Sequence, residues 1–109
     1  MLMDEMREEL VEGLTGIFQN NISMIILYGS MARKEATNES DIDIAIIIKN
    51  EMDSQTKKRF ISWAADMDMR YEKVFSIVDI QEDNMKKWER VFPFYQNIRK
   101  EGIVLWRAA

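Results

Sequence analysis

Asp41 and Asp43 stand one residue apart in the run Asp41-Ile42-Asp43-Ile44-Ala45-Ile46-Ile47-Ile48, and a Gly29-Ser30 turn precedes them by a short loop. Side chains i and i+2 of a β-strand project from the same face, so the two carboxylates are presented together while Ile42, Ile44, Ile46 and Ile48 form the opposite, apolar face. Along extended backbone their Cα atoms lie roughly 6.6 Å apart, a span that two acidic side chains can close around one hard cation or a pair of cations about 4 Å apart. Oxygen-only ligands favour Mg2+ or Mn2+ over zinc. Polar alternation on a half-buried edge strand produces the same pattern without chemistry, so the preceding turn has to decide.

That turn carries the second half of the chemistry. Ile25, Ile26, Leu27 and Tyr28 read as a buried strand that stops at Gly29, where the missing Cβ lets the backbone turn sharply and approach a ligand. Ser30 is expected to cap a short helix opened by Met31, Ala32 and Arg33. Backbone N–H groups there, with the Ser30 hydroxyl, can hold phosphate oxygens. A Gly-Ser turn alone is common. Beside Asp41 and Asp43 it makes an anion cradle next to a cation site, the combination that phosphoryl or nucleotidyl transfer requires.

The elements that must position these groups follow from periodicity. Met6, Leu10, Leu14 and Ile17 recur at helical spacing from about Asp4 to Asn20, and the strand Ile22 to Tyr28 comes next. After the acidic strand, Ser54 is expected to cap a helix with Phe60, Ala64, Met67 and Tyr71 on one stripe. Asp66-Met67-Asp68 imitates the acid pair in sequence only, because neighbours two apart on a helix diverge by about 200°. Val74 to Ile80 reads as a strand, Glu82 to about Arg90 as a short helix, and Pro93 and Gly102 as the start and end of another. Ile103 to Trp106 reads as a strand or a docking segment. The expected fold is α/β: a single domain over 1–109, with a small mixed β-sheet and helices packed mainly on one face.

Composition narrows the chemistry further. The 109 residues suffice for one core but not two domains, and the absence of cysteine and histidine removes disulfides, thiol nucleophiles, the usual zinc sites and a Ser-His-Asp triad. Carboxylates remain as the general bases. A net charge of -4 gives no overall attraction for nucleic acid, so direct DNA or RNA binding is not expected, and the basic clusters Lys57-Lys58-Arg59 and Lys86-Lys87 read as solvated helix faces. No apolar run reaches the roughly 18 residues of a membrane span, and the acidic start with Asp4, Glu5, Glu8 and Glu9 does not resemble a signal peptide. The expected location is cytoplasmic. Most of the nine methionines are assigned to packing. Of Trp63, Trp88 and Trp106 none lies inside the Gly-Ser and acid motif, and the sequence does not choose a nucleobase.

Gly29-Ser30-Met31-Ala32-Arg33 followed by Ser40-Asp41-Ile42-Asp43-Ile44 resembles the two-part signature of the minimal nucleotidyltransferases, relatives of the catalytic palm-like domain of DNA polymerase β. The stretch Pro93 to Gly102 is similar to the tail of one branch of these small proteins, while Lys34 stands where many members carry glycine. The resemblance implies that Gly29 and Ser30, with Ser40, contact a nucleoside triphosphate and that Asp41 and Asp43 ligate magnesium or manganese. Arg33 could touch phosphate, although a packed stem with its head paired to an acid is the more usual arrangement. It further implies AMP transfer from ATP to a hydroxyl on a partner protein, since such chains are often paired as antitoxins with small helical HEPN-domain toxins.

Family members competent in catalysis usually add a third acid from a later strand. Asp79 is the only acid in Val74 to Ile80 and is the candidate by type. Counting back from the helix at Glu82, however, the family position falls nearer Ser76, and residues 76 and 79 lie on opposite faces of a strand. Only a bulge or shifted register would bring Asp79 round. Two functions therefore stand side by side: a magnesium-dependent nucleotidyltransferase, and a weak or inactive module of the same fold that neutralises a partner by contact. A terminal edge strand would serve a homo-oligomer as readily as a heterocomplex.

Overall fold

The computed structural model describes residue 2, residues 4–35, residue 37 and residues 41–109. Its centre is a four-stranded sheet in the order β3-β2-β1-β4, with β1 at Ile22–Tyr28, β2 at Ile42–Ile48, β3 at Phe75–Gln81 and β4 at Ile103–Arg107. β2 runs antiparallel to β1 and parallel to β3, and β4 runs antiparallel to β1. The sheet is mixed because α3, Ser54–Tyr71, carries the chain across before β3.

The larger core lies under α1, Asp4–Phe18, and α3. There Leu10, Leu14 and Met67 meet the sheet face made by Ile25, Ile42, Ile44, Ile46 and Ile48. Each fully buried aliphatic side chain of this kind contributes roughly 1.5–3 kcal/mol relative to exposure. A smaller cluster of Ile26, Ala45, Ile47, Ile80 and Ile98 occupies the other face beneath α4, Glu82–Trp88, and α5, Pro93–Glu101. These two short helices leave part of that face open, whereas α1 and α3 cover theirs.

Local chemistry explains the boundaries. The Asp53 carboxylate, not Ser54, caps α3 by accepting from the Thr56 N–H at 2.7 Å, which shifts the expected cap back by one residue. α1 ends at Phe18 and the chain passes through a 3-10 turn at Gln19–Asn21 before β1. The Asn21 side chain then donates to the Asn50 carbonyl and accepts from the Asn50 N–H, both at 2.8 Å, tying the start of β1 to the end of β2. Asp68 accepts from the Phe75 N–H at 2.9 Å, so its carboxylate is occupied in starting β3 and plays no part in a metal pair with Asp66. Ile103–Arg107 is a strand on the edge of the sheet, resolving the alternative of a separate docking segment.

Candidate active site

Tyr28 and Asp43 are partners in the β1–β2 register, at the end of the sheet where β1 finishes and β2 begins. Gly29 follows at once with φ +71, a conformation in the left-handed region. A Cβ built on Gly29 would overlap the Asp43 carboxylate, and its distance to Asp43 Cγ would be 3.1 Å. Glycine is thus required twice over, by the backbone angle and by the acid packed against it. The short helix α2, Gly29–Ala32, starts directly from Tyr28 as its N-cap, without a side-chain hydrogen bond. Ser30 therefore lies inside the first turn instead of capping it, which corrects the expected cap. The αL turn at Gly29 starts the helix two residues earlier than a serine cap would.

Asp41 is exposed just ahead of β2 and Asp43 is half-buried within it. Burial raises the Asp43 pKa above the ordinary carboxylate value, the charge of Asp41 raises it further, and the charge of Arg33 opposes both. The charge of Asp41 thus acts on Asp43, as expected of two neighbouring acids. The Tyr28 hydroxyl is also pushed up, first by burial and then by the Asp43 charge.

Arg33 takes the paired arrangement. Its guanidinium donates to Glu35 at 2.7 Å and to Glu101 of α5 at 3.4 Å, linking the turn to the far helix. Ser40 lies outside the described residues. The parallel β2–β3 register sets Asp43 beside Ser76 and Ile46 beside Asp79, and the Ile42 N–H donates to the Val74 carbonyl at 2.9 Å to fix it. Ser76 hence shares the face of Asp43, and Asp79 points to the other face of the sheet, exposed at its edge. The bulge that would have brought Asp79 round does not occur between β2 and β3. Among the described residues no cluster of three acidic side chains could hold a metal ion.

The donor types fit a hard divalent cation: one carboxylate within β2 and one just ahead of it, oxygen ligands only, with the glycine turn accommodating the Asp43 carboxylate. A separate hollow of about 500 Å³ sits at the opposite end of the sheet, lined among others by Phe18, Asn21, Lys49, Asp53 and Arg59. It shares no residue with the acid site.

The profile of the Polymerase beta, Nucleotidyltransferase family matches residues 12–108. The chain belongs to the polymerase β-type nucleotidyltransferase family. This nucleotidyltransferase is 34% identical over 100 residues to MJ0604 of Methanocaldococcus jannaschii, named a candidate protein adenylyltransferase, covering 91% of this chain and 93% of that one. A second candidate protein adenylyltransferase of the same organism, MJ0141, is 28% identical over 72 residues, covering 66% of this chain and 73% of the relative. Among solved structures the nucleotidyltransferase superposes on a chain of a toxin–antitoxin crystallised with AMP-PNP, with a TM-score of 0.68, 20% identity, and coverage of 94% of this chain and 73% of that chain. It also matches a chain of the complex between a tri-AMPylated Shewanella oneidensis HEPN toxin and its MNT antitoxin, with a TM-score of 0.62, 17% identity, and coverage of 98% and 74%. At these identities the structural matches establish the shared fold. No helix among the described residues of the nucleotidyltransferase is long and apolar enough to cross a membrane.

Signals that sequence reading missed lie in tertiary contacts. Glu101 as the partner of Arg33, and the edge-on contact of Tyr28 with Phe94 at 5.9 Å, both depend on where α5 docks. Opposite charges at 33 and 101 were visible, but nothing local joined them.

Proposed function

We propose that this protein transfers AMP from ATP to a hydroxyl group on a partner protein, and that the partner is a small helical HEPN-type protein. The observation that carries the reading is the packing of the Asp43 carboxylate against the Gly29 turn, with the charge of Asp41 acting on it. The names of the two archaeal relatives support protein adenylylation, and the toxin–antitoxin complexes among the structural neighbours support the partner class.

In this reading Asp41 and Asp43 would hold Mg2+ or Mn2+, which neutralises triphosphate charge and makes the α-phosphorus more electrophilic. Gly29 and Ser30 offer N–H groups and a hydroxyl to the phosphates that depart. The acceptor oxygen bonds to the α-phosphorus in line as the bond to the bridging oxygen breaks, releasing pyrophosphate, and the hydroxyl proton passes to solvent. Proton transfer to water is assigned because serine, not an acid, stands beside Asp43 on β3. Slow turnover is the expected consequence.

Labelled ATP, magnesium and a HEPN-type protein encoded in the same genome supply the test. Label should appear on the partner with the native chain and drop by more than about 100-fold for Asp41→Ala and Asp43→Ala. Undiminished labelling by both variants would remove the acids from the chemistry.

The Ser76 position also favours a second reading, in which the same fold masks its partner by contact alone. Inhibition of the partner that persists in Asp41→Ala and Asp43→Ala, with no label transferred by the native chain, would select it.

A further inference from the structure

Phe94 is 44% exposed, yet its ring is held from two sides. It meets Tyr28 edge-on at 5.9 Å with an interplanar angle of 89°, and Tyr95 at 5.4 Å and 80°. Pro93 at the first turn of α5 fixes the backbone just before it. An exposed aromatic ring fixed in this way has little side-chain freedom left to lose on binding. Phe92, also 44% exposed, continues the aromatic surface through Tyr95 and Trp88.

The position of this ring matters more than its exposure. Tyr28 stands beside Asp43 in the β1–β2 register, and cross-strand partners lie about 5 Å apart. The path from the acid pair to Phe94 therefore crosses a single side chain on one face of the sheet. A nucleotide anchored by its phosphates at Gly29, Asp41 and Asp43 lays its ribose and base on the neighbouring surface, and Phe94 is an exposed ring reached there across Tyr28.

We infer that Phe94, braced by Tyr28, is the stacking platform for the nucleobase of the bound nucleoside triphosphate. The inference rests on the nucleotidyl-transfer reading and adds the base subsite to it. Stacking accepts any base because every base presents a π-face. The platform therefore adds affinity for a nucleoside over bare polyphosphate without choosing among bases.

Calorimetry on the full chain with magnesium, comparing ATP with inorganic tripolyphosphate, tests this directly. The native protein should bind ATP roughly tenfold more tightly than tripolyphosphate, the scale of one base–aromatic stack. Phe94→Ala should erase that margin and leave tripolyphosphate binding unchanged, and Phe94→Trp should keep it. An ATP margin that survives in Phe94→Ala, as it would if the ring instead receives an apolar segment of the acceptor protein, overturns the inference alone. If the native chain binds neither ligand, the nucleotidyl-transfer reading itself fails and takes the platform with it. Circular dichroism of each variant confirms that the exposed substitution leaves the fold intact.

Discussion

Gly29 and Asp43 are packed so closely that a single methyl group on the glycine would collide with the carboxylate. With φ at +71 the same position also disfavours any side chain on backbone grounds. Gly29→Ala should therefore lose about 1–3 kcal/mol of stability and displace Asp43 from its partner acid. Urea denaturation measures the first effect and manganese titration the second. A variant with native stability and native metal affinity would show that the turn tolerates a side chain after all.

Asp43 illustrates the opposition between function and stability. Its pKa is raised in the folded protein, mainly by burial and then by Asp41. The stabilising form is thus the protonated one, fully present below the ordinary carboxylate value and lost as pH rises through the raised value. At neutral pH and without metal, the ionised side chain is a cost that Asp43→Asn removes. The variant should melt above the native chain at pH 7, with the gap closing below about pH 4. Added magnesium should stabilise the native chain and leave the variant unmoved. Thermal melts across pH, with and without magnesium, check both statements.

Ser76 offers a gain-of-function experiment. Because it stands beside Asp43 in the parallel register, Ser76→Asp should add a third acid to the site face and speed AMP transfer by about 100-fold or more. It should also lower metal-free stability through like-charge repulsion. Asp79→Asn, on the opposite face, should leave transfer within about twofold of native. Rates measured under single-turnover conditions separate the two positions, and a large loss in Asp79→Asn would place the working register elsewhere.

The cap at Asp53 gives a pH dependence of the opposite sign. Hydrogen bonds from the backbone and side chain of Thr56 hold its carboxyl below the ordinary value. That contribution is present above the ordinary carboxylate range and lost as pH falls through the depressed value. Asp53→Ala should melt below the native chain at neutral pH, the two converging in acid. Parallel melts would instead assign Asp53 no role in holding α3.

Much of this arrangement was legible in the residues. The 3.6-residue recurrence of Leu10, Leu14 and Ile17 announces α1, and the aliphatic run from Ile42 announces β2, because each element is held chiefly by burying one apolar face. Strand periodicity also predicts Asp41 and Asp43 on one side, and the structure puts Asp43 in β2 and Asp41 just ahead of it. Parity likewise separated Ser76 from Asp79, but it could not say which one joined the site. That choice depends on where β3 starts against β2, and a backbone hydrogen bond from Ile42 to Val74 settles it. The caps failed by one position at α3, Asp53 for Ser54, and by two at α2, Tyr28 for Ser30, because nearby residues offer similar local chemistry and only φ and ψ distinguish them. Contacts of α5 with Tyr28 and Arg33 had no local signature at all.

The hollow beside Lys49 and Asp53 opens at the end of the sheet remote from Asp43, with the length of β2 between them, about 20 Å of extended chain. Compounds chosen to fill that concavity would sit on the wrong pole of the molecule. On the proposed function, an inhibitor directed at Asp41 and Asp43 would instead be a charged, shallow ligand for the cations these acids would hold, so phosphonate or catechol groups suit that end of the sheet better than apolar fragments.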